Sequence, residues 1–406
     1  MKLLHTADWH LGKRLGDYSR LAEQRKVLDE ICAIAEAEVV DAVLIAGDLF
    51  DTFNPPNEAL ELFYRTVHRL SNNGARAVVA IAGNHDSPDR VEAPDPLARE
   101  CGIFFVGRPA SVVPTVETPA GIKTRHAAPG FVELQLPNCP DPLRIILTPY
   151  ANETTLKRFL GDDKREQSLR EVLHQDWHRL ADAHCDAQGV NVLMAHLYFQ
   201  RRNGPAPEEP DDEKPILHVG GASAVFTEDI PPQLQYAALG HLHRYQTVSA
   251  TPCPVCYSSS PLAYSFAEAE QQKQVVLVEV EAGGEALVRP VALRAGRRLC
   301  RPRFTEIDAA IRWLEANPDT FVELTLVSDS YLESKQKRAL YAAHDGIVSI
   351  IPDIATSGGG SSEPPGIDLS KDLRSLFVDY FRAKKGQAPS DELRLLFDEI
   401  LGAESN

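Results

Sequence analysis

Ala42-Val-Leu-Ile-Ala46 is an unbroken apolar run that stops at Gly47 and is followed at once by Asp48 and Asp51. Such a run reads as a strand buried on both faces, the kind found in largely parallel sheets covered by helices. Carboxylates at its end lie at the rim of a core, where an uncompensated charge is costly. They are paired, bound to metal, or turned to solvent in a tight turn. The rest of the chain decides among these, because it repeats the arrangement.

The strand beginning at Lys2 runs into Asp8 and His10. Helical spacing over residues 20 to 38 leads to the strand that ends at Asp48. Pro55-Pro56 opens a second helix with Leu60, Leu62, Phe63, Val67 and Leu70 on its inner face. Ala77 to Ala82 is the next buried strand, ending in Gly83-Asn84-His85-Asp86. This alternation predicts an α/β fold with a largely parallel sheet. Residues 103 to 150 are β-rich, a polar helical region covers about 163 to 187, and Asn191 to Ala195 is another apolar run, ending at His196. Residues 201 to 215 read as an exposed loop. Tyr236 to Gly240 delivers His241 and His243, and a hairpin turning at Gly283-Gly284 closes the domain.

Beyond Arg297 the pattern restarts as strand, helix, strand, helix, strand, a small α/β module. Ser357 to Gly366 has the composition of a flexible linker. Two amphipathic stripes follow: Leu369, Leu373, Leu376, Phe377, Tyr380 and Phe381, then Leu393, Leu396, Phe397, Ile400 and Leu401. The expected division is 1–297, 298–356, a linker at 357–366, and a helical segment at 367–406.

Asp8, His10, Asp48, Asn84, His196, His241 and His243 thus all sit where strands end, and sites in open α/β sheets form beyond the carboxyl ends of strands. The pairs Asp8/His10 and His241/His243 are two residues apart, so in extended chain each pair faces one side. Two carboxylates, an amide and four imidazoles suit Mn²⁺, Fe²⁺ or Zn²⁺ better than the oxygen-preferring Ca²⁺ and Mg²⁺. Seven ligands exceed one tetrahedral site and serve two ions if Asp48 bridges. Bound cations let an acidic chain of net charge −16 still attract a phosphate. His85 is the candidate general acid or transition-state stabiliser, with the Asp51 carboxylate orienting its imidazole. His5 and the other histidines read as structural. Seven scattered cysteines fit a reducing compartment, and Cys253-Pro-Val-Cys256 reads as strand or turn rather than a zinc site. No apolar stretch reaches the ~18 residues of a membrane span. The N-terminus has polar residues where a signal peptide needs its apolar stretch, so a cytoplasmic location is expected.

The motifs D-x-H-L-G (8–12), G-D-L-F-D-T (47–52), G-N-H-D-S-P (83–88), A-H (195–196) and G-H-L-H (240–243) resemble those of the calcineurin-like metallophosphoesterase superfamily. Leu4 to Gly12 and Gly47 to Pro56 further resemble its bacterial DNA nucleases that work with an SMC-like ATPase. The resemblance implies a four-layered αββα sandwich, a capping domain at 298–356 and terminal helices that bind the ATPase. It implies one ion on Asp8, His10, Asp48 and His243, the other on Asp48, Asn84, His196 and His241, with His85 catalytic. It also implies Mn²⁺, cleavage of duplex ends 3′→5′ and of single strands or hairpins internally, and a heterotetramer with two copies of each subunit. Lys13, Arg14, Arg20, Arg90, Arg201, Arg202 and Arg244 flank the motifs and are candidates for contact with the DNA backbone. A phosphoprotein or small phosphoester as substrate, or a scaffold without turnover, are the alternatives. Phosphoprotein phosphatases resemble G-D-x-V-D-R-G and G-N-H-E rather than the forms present here.

Overall fold

The structure, a computed structural model, describes residues 1–150, 169–208, 225–328 and 332–354, with 375–378, 380, 381, 389, 393, 394 and 397 near the end. Two sheets stack face to face. The first runs Leu287–Ala292, Gln274–Glu279, Lys2–Thr6, Ala42–Ala46, Ala77–Ile81, Ile103–Val106. Its last four strands are parallel, and the hairpin Gln274–Glu279/Leu287–Ala292 joins antiparallel to Lys2–Thr6. The second sheet runs Gln246–Ser249, Val255–Tyr257, Tyr236–Gly240, Val190–His196, Leu143–Thr148, Phe131–Gln135, Lys123–Ala128, with a parallel centre and antiparallel edges.

Strand alternation produces the layers. Ala42, Leu44 and Ala46 point between the sheets, with Val192, Met194 and Ala238 from the other side. Val43 and Ile45 point outward onto the helices Leu21–Ala37 and Asn57–Leu70, packing with Ile31, Phe63 and Val67. Leu193 and Ala195 point outward onto Leu169–His184, where Trp177 is buried. The order is helix, sheet, sheet, helix, the αββα sandwich that the motifs imply. Strands apolar on both faces are what this middle position requires. The hairpin turns where Gly283-Gly284 was expected to turn it.

Residues 298–354 build a four-stranded sheet from Arg298–Cys300, Arg303–Phe304, Thr320–Ser328 and Ile347–Ile354, with helices Ile307–Ala316 and Ser334–Ala343. Ala310, Leu314, Val322, Leu324 and Leu340 form a core of its own. It is nonetheless docked on the sandwich. Leu299 and Phe321 pack with Leu15, and Tyr18 donates to the Ile347 carbonyl at 3.1 Å. Both Arg20 and Arg297 lie over the Phe321 ring. Met1–Val327 and Leu332–Asp353 accordingly form one compact unit.

The other unit comprises Ser328–Tyr331 and Ile354–Asn406. Within it Phe377 stacks on Phe397 with centroids 4.0 Å apart, joining one position from each amphipathic stripe. The linker at 357–366 and most of 367–406 lie outside the described residues, as do 151–168 and 209–224. All seven cysteines are free, and Cys256 lies in a strand. Among the described residues no helix is long and apolar enough to cross a membrane.

His5 illustrates a structural histidine with a measurable consequence. It is wholly buried, with Nδ1 2.8 Å from the Tyr236 hydroxyl and Nε2 3.1 Å from the Leu239 carbonyl. Burial pushes its pKa down to about 3, against a smaller upward pull from the Leu239 carbonyl. Because the folded value is depressed, the unfolded chain takes up the proton first, and stability is lost as pH falls below about 6.5. Between pH 7.5 and 5.5 this one group removes about 1.4 kcal/mol. His5→Gln is expected to lose that much less than wild type over the same interval in urea unfolding with chelator present. Parallel losses in the two proteins would clear His5 of the effect.

Candidate metal centre

The loops that carry the candidate ligands leave the two sheets at the same end and are stitched together by their backbones. Asp8 N–H donates to the Gly47 carbonyl at 3.0 Å, and His10 N–H to the Asp48 carbonyl at 3.0 Å. Asp8, His10, Asp48 and His241 all have positive φ, at 55°, 42°, 49° and 109°. Non-glycine residues held there cost about 1–3 kcal/mol each, and such strain concentrates at functional sites. Two motif glycines are explained by crowding. A Cβ at Gly83 would lie 2.1 Å from Asp48 Oδ1, and one at Gly240 would lie 1.9 Å from the Ala46 carbonyl oxygen.

The side chains converge as two clusters joined by Asp48. His10 Nε2 lies 3.0 Å from His243 Nε2, with Asp8 in the same group. On the other side His196 Nε2 and His241 Nδ1 each lie 2.9 Å from Asn84 Oδ1. Asp48 Oδ2 stands between, 3.5 Å from His10 Nε2 and 3.4 Å from His196 Nε2. Asp48 Oδ1 accepts the His85 N–H at 2.9 Å, and Asp8 Oδ1 accepts the His241 N–H at 2.9 Å. All seven expected side chains therefore meet.

The donor chemistry fits cations. Asp8 Oδ2 and His10 Nδ1 are buried without hydrogen-bond partners among the described residues, although such atoms ordinarily find one. Burial pushes Asp8 up to about 7, although His196 and His243 draw it down. Asp48 is also buried, yet the surrounding histidines, His196 foremost, hold it well below the carboxylate range. Burial and the His196 charge press His241 down to about 3, leaving its imidazole neutral and able to donate a lone pair. Among the described residues no lysine or arginine pairs with Asp8 or Asp48; histidines alone approach these two buried carboxylates, an arrangement that bound cations would complete.

His85 is half-buried beside this centre. Its Nδ1 lies 2.8 Å from the main-chain carbonyl of Asp51, so Nδ1 is the donor and Nε2 is the ring nitrogen left for proton exchange. This corrects the expected role of Asp51: its carbonyl, not its carboxylate, orients the imidazole. The carboxylate instead meets Lys13 Nζ at 2.8 Å, with His10 Nδ1 3.8 Å away. A second correction concerns Arg20, proposed above for DNA contact. It is fully buried, paired with Glu23 and the Ala263 carbonyl, and cannot reach a ligand. Lys13 and the exposed Arg14, Arg90, Arg201, Arg202 and Arg244 remain accessible around the site, although Arg90 bonds Asn54 and Arg244 pairs with Glu208.

Several supporting residues escaped the sequence reading. Asp86 accepts N–H bonds from Leu49, Phe50 and Gly83 at 3.0, 2.9 and 2.8 Å, clamping the Asp48 loop to the Asn84 loop. Gln24 ties its helix to the first loop, donating to the His10 carbonyl at 2.8 Å. Glu268 lies 3.2 Å from His243 Nδ1 and pairs with Lys273. Although burial raises it, Lys273 and His243 bring its pKa down to about 2. Asp86 was visible as part of G-N-H-D; nothing local marks Gln24 or Glu268.

The family profile described as calcineurin-like phosphoesterase matches residues 1–245. Three similar proteins are named as the SbcD subunit of the nuclease SbcCD. The one from Bacillus subtilis is 35% identical, over 98% of this chain and 97% of its own. The one from Rhodobacter capsulatus is 33% identical, over 72% and 71%. The one from Escherichia coli K12 is 30% identical, over 83% and 81%.

Proposed function

This chain belongs to the calcineurin-like phosphoesterase family, in its group of SbcD nuclease subunits, and from that premise we propose that it cleaves DNA phosphodiesters at a centre of two divalent ions. It is a metal-dependent hydrolase. The reading assigns one ion to Asp8, His10, Asp48 and His243, and the other to Asp48, Asn84, His196 and His241. Mixed nitrogen and oxygen ligands suit Mn²⁺, Fe²⁺ or Zn²⁺, and of these Mn²⁺ is the one the family resemblance implies. The observation that carries the assignment is the placement of Asp48 Oδ2, nearly equidistant from a histidine of each cluster.

Such an ion pair supplies positive charge that polarises the phosphodiester and makes a water acidic enough to attack phosphorus. The chain's own residues do the rest. Asp86 and the loop-to-loop hydrogen bonds hold the ligands in register. His85, fixed through Nδ1 by the Asp51 carbonyl, acts as the imidazolium: a proton already taken up at Nε2 passes to the leaving oxygen as the P–O bond breaks, leaving the ring neutral. Lys13, Arg14, Arg90 and Arg244 can neutralise backbone phosphates at the rim.

The partner in this reading is the SMC-like ATPase SbcC, in a complex with two copies of each subunit built on a dimer of this chain. The sequence contains no G-x-x-x-x-G-K-[ST] loop, so ATP hydrolysis belongs to the partner. The decisive assay incubates the full chain, alone and with the ATPase, on single-stranded, hairpin and blunt duplex DNA. Single strands and hairpins are expected to be cut with Mn²⁺ and without ATP, duplex ends 3′→5′ only with partner and ATP, and chelator to stop both. Hydrolysis of phosphoserine peptide or p-nitrophenyl phosphate with no attack on DNA would overturn the nuclease reading in favour of a phosphatase.

A further inference from the structure

Behind the cluster of Asp8, His10 and His243 lies a charged pair that the mechanism above does not use. Glu268 ends the short turn Phe266–Glu268 and is 1% exposed; Lys273 is 7% exposed. Glu268 Oε1 accepts from His243 Nδ1 at 3.2 Å while Oε2 takes Lys273 Nζ at 2.5 Å. The same ammonium shares its other two N–H groups among the His243 carbonyl at 2.8 Å, Ser260 Oγ at 3.0 Å and Gln271 Oε1 at 3.0 Å. Lys273 thereby holds both the carboxylate and the backbone of the residue that the carboxylate touches.

Burying an ion pair is a poor way to gain stability, since desolvation offsets the attraction and an apolar pair of similar size does as well. Its position suggests another use. A carboxylate on the Nδ1 of an imidazole fixes the tautomer with the lone pair on Nε2 and makes that nitrogen a stronger donor. The histidines of the centre differ in this respect. His196 Nδ1 rests on the neutral Ala46 carbonyl at 2.8 Å, and His10 Nδ1 has no hydrogen bond among the described residues.

We propose that Glu268, held by Lys273, is a positioning residue that acts through His243 to tighten the ion held by Asp8, His10 and His243, leaving the ion at His196 and His241 unaffected. The proposal rests on the reading of His243 as a ligand. Removing Glu268 alone would strand a buried ammonium, so the test uses two double variants of the full chain. Glu268→Gln/Lys273→Met keeps an amide acceptor for Nδ1–H, and Glu268→Met/Lys273→Met removes it. Mn²⁺ is titrated into each metal-free protein by calorimetry, alongside thermal unfolding and the Mn²⁺ dependence of single-strand cleavage.

One of the two binding steps is expected to weaken roughly 10- to 100-fold in the Met/Met variant and less in the Gln/Met variant. The other step is unchanged, and cleavage returns to the wild-type rate when Mn²⁺ is raised. Wild-type isotherms in both variants overturn the proposal. So does equal weakening of both steps, or failure of the metal-free variants to fold, either of which makes the pair part of the core instead. A wild-type protein that takes up no Mn²⁺ would sink the reading of the metal centre itself and is distinguished by that control.

Discussion

Asp48→Asn is expected to lower DNA cleavage by roughly three orders of magnitude or more and to disrupt uptake of both ions rather than one. Asparagine is the informative replacement. Position 48 has φ 49°, which asparagine tolerates better than most residues, and an amide oxygen can still accept the His85 N–H. The metal-free fold should therefore survive, and the loss can be attributed to the missing charge between the clusters. Asn84→Ala is the comparison, since its side chain meets His196 and His241 and its loss should impair a single ion. Mn²⁺ titration with circular dichroism separates the two. An Asp48→Asn protein with two tight ions and normal cleavage would remove Asp48 from the bridging role.

His85→Ala should behave differently, losing about 10²- to 10⁴-fold in kcat while KM and Mn²⁺ uptake stay near wild type. The leaving group supplies the sharper diagnosis. A 3′-oxygen of DNA needs a proton as it departs, whereas p-nitrophenolate does not. The defect should shrink on bis(p-nitrophenyl) phosphate if His85 is the proton donor. An equal defect on both substrates would instead make the imidazole a stabiliser of charge on phosphorus. The Asp51 side chain is predicted to matter little here, because its main-chain carbonyl makes the contact.

Those two contrasting expectations follow from features with very different visibility in the sequence. The candidate ligands could be read because their signal is local: an apolar run that ends at a donor, with a glycine between the two before Asp48, Asn84 and His241. Burial on both faces set the parallel sheets, and parallel strands bring their ends to one side. Asp51 misled because a sequence spells out side chains, while the hydrogen bond is made by the backbone. Arg20 misled because charge was taken for exposure. It opens the helix Leu21–Ala37, where Glu23 one turn on neutralises it and Phe321, three hundred residues away, covers it. Glu268 had no signature at all. It follows a serine-rich turn outside every motif, and its meaning comes from a neighbour twenty-five positions back.

The assigned ligands are divided between the layers: Asp8, His10, Asp48 and Asn84 come from one sheet, His196, His241 and His243 from the other. Ions seated there would rivet the sandwich across its seam, where otherwise chiefly apolar side chains hold the halves together. Saturating metal adds stability as the logarithm of its free concentration over its dissociation constant. A nuclease loaded with its ions is then also the form most resistant to shearing apart, so the means of cutting and the means of staying folded are supplied together.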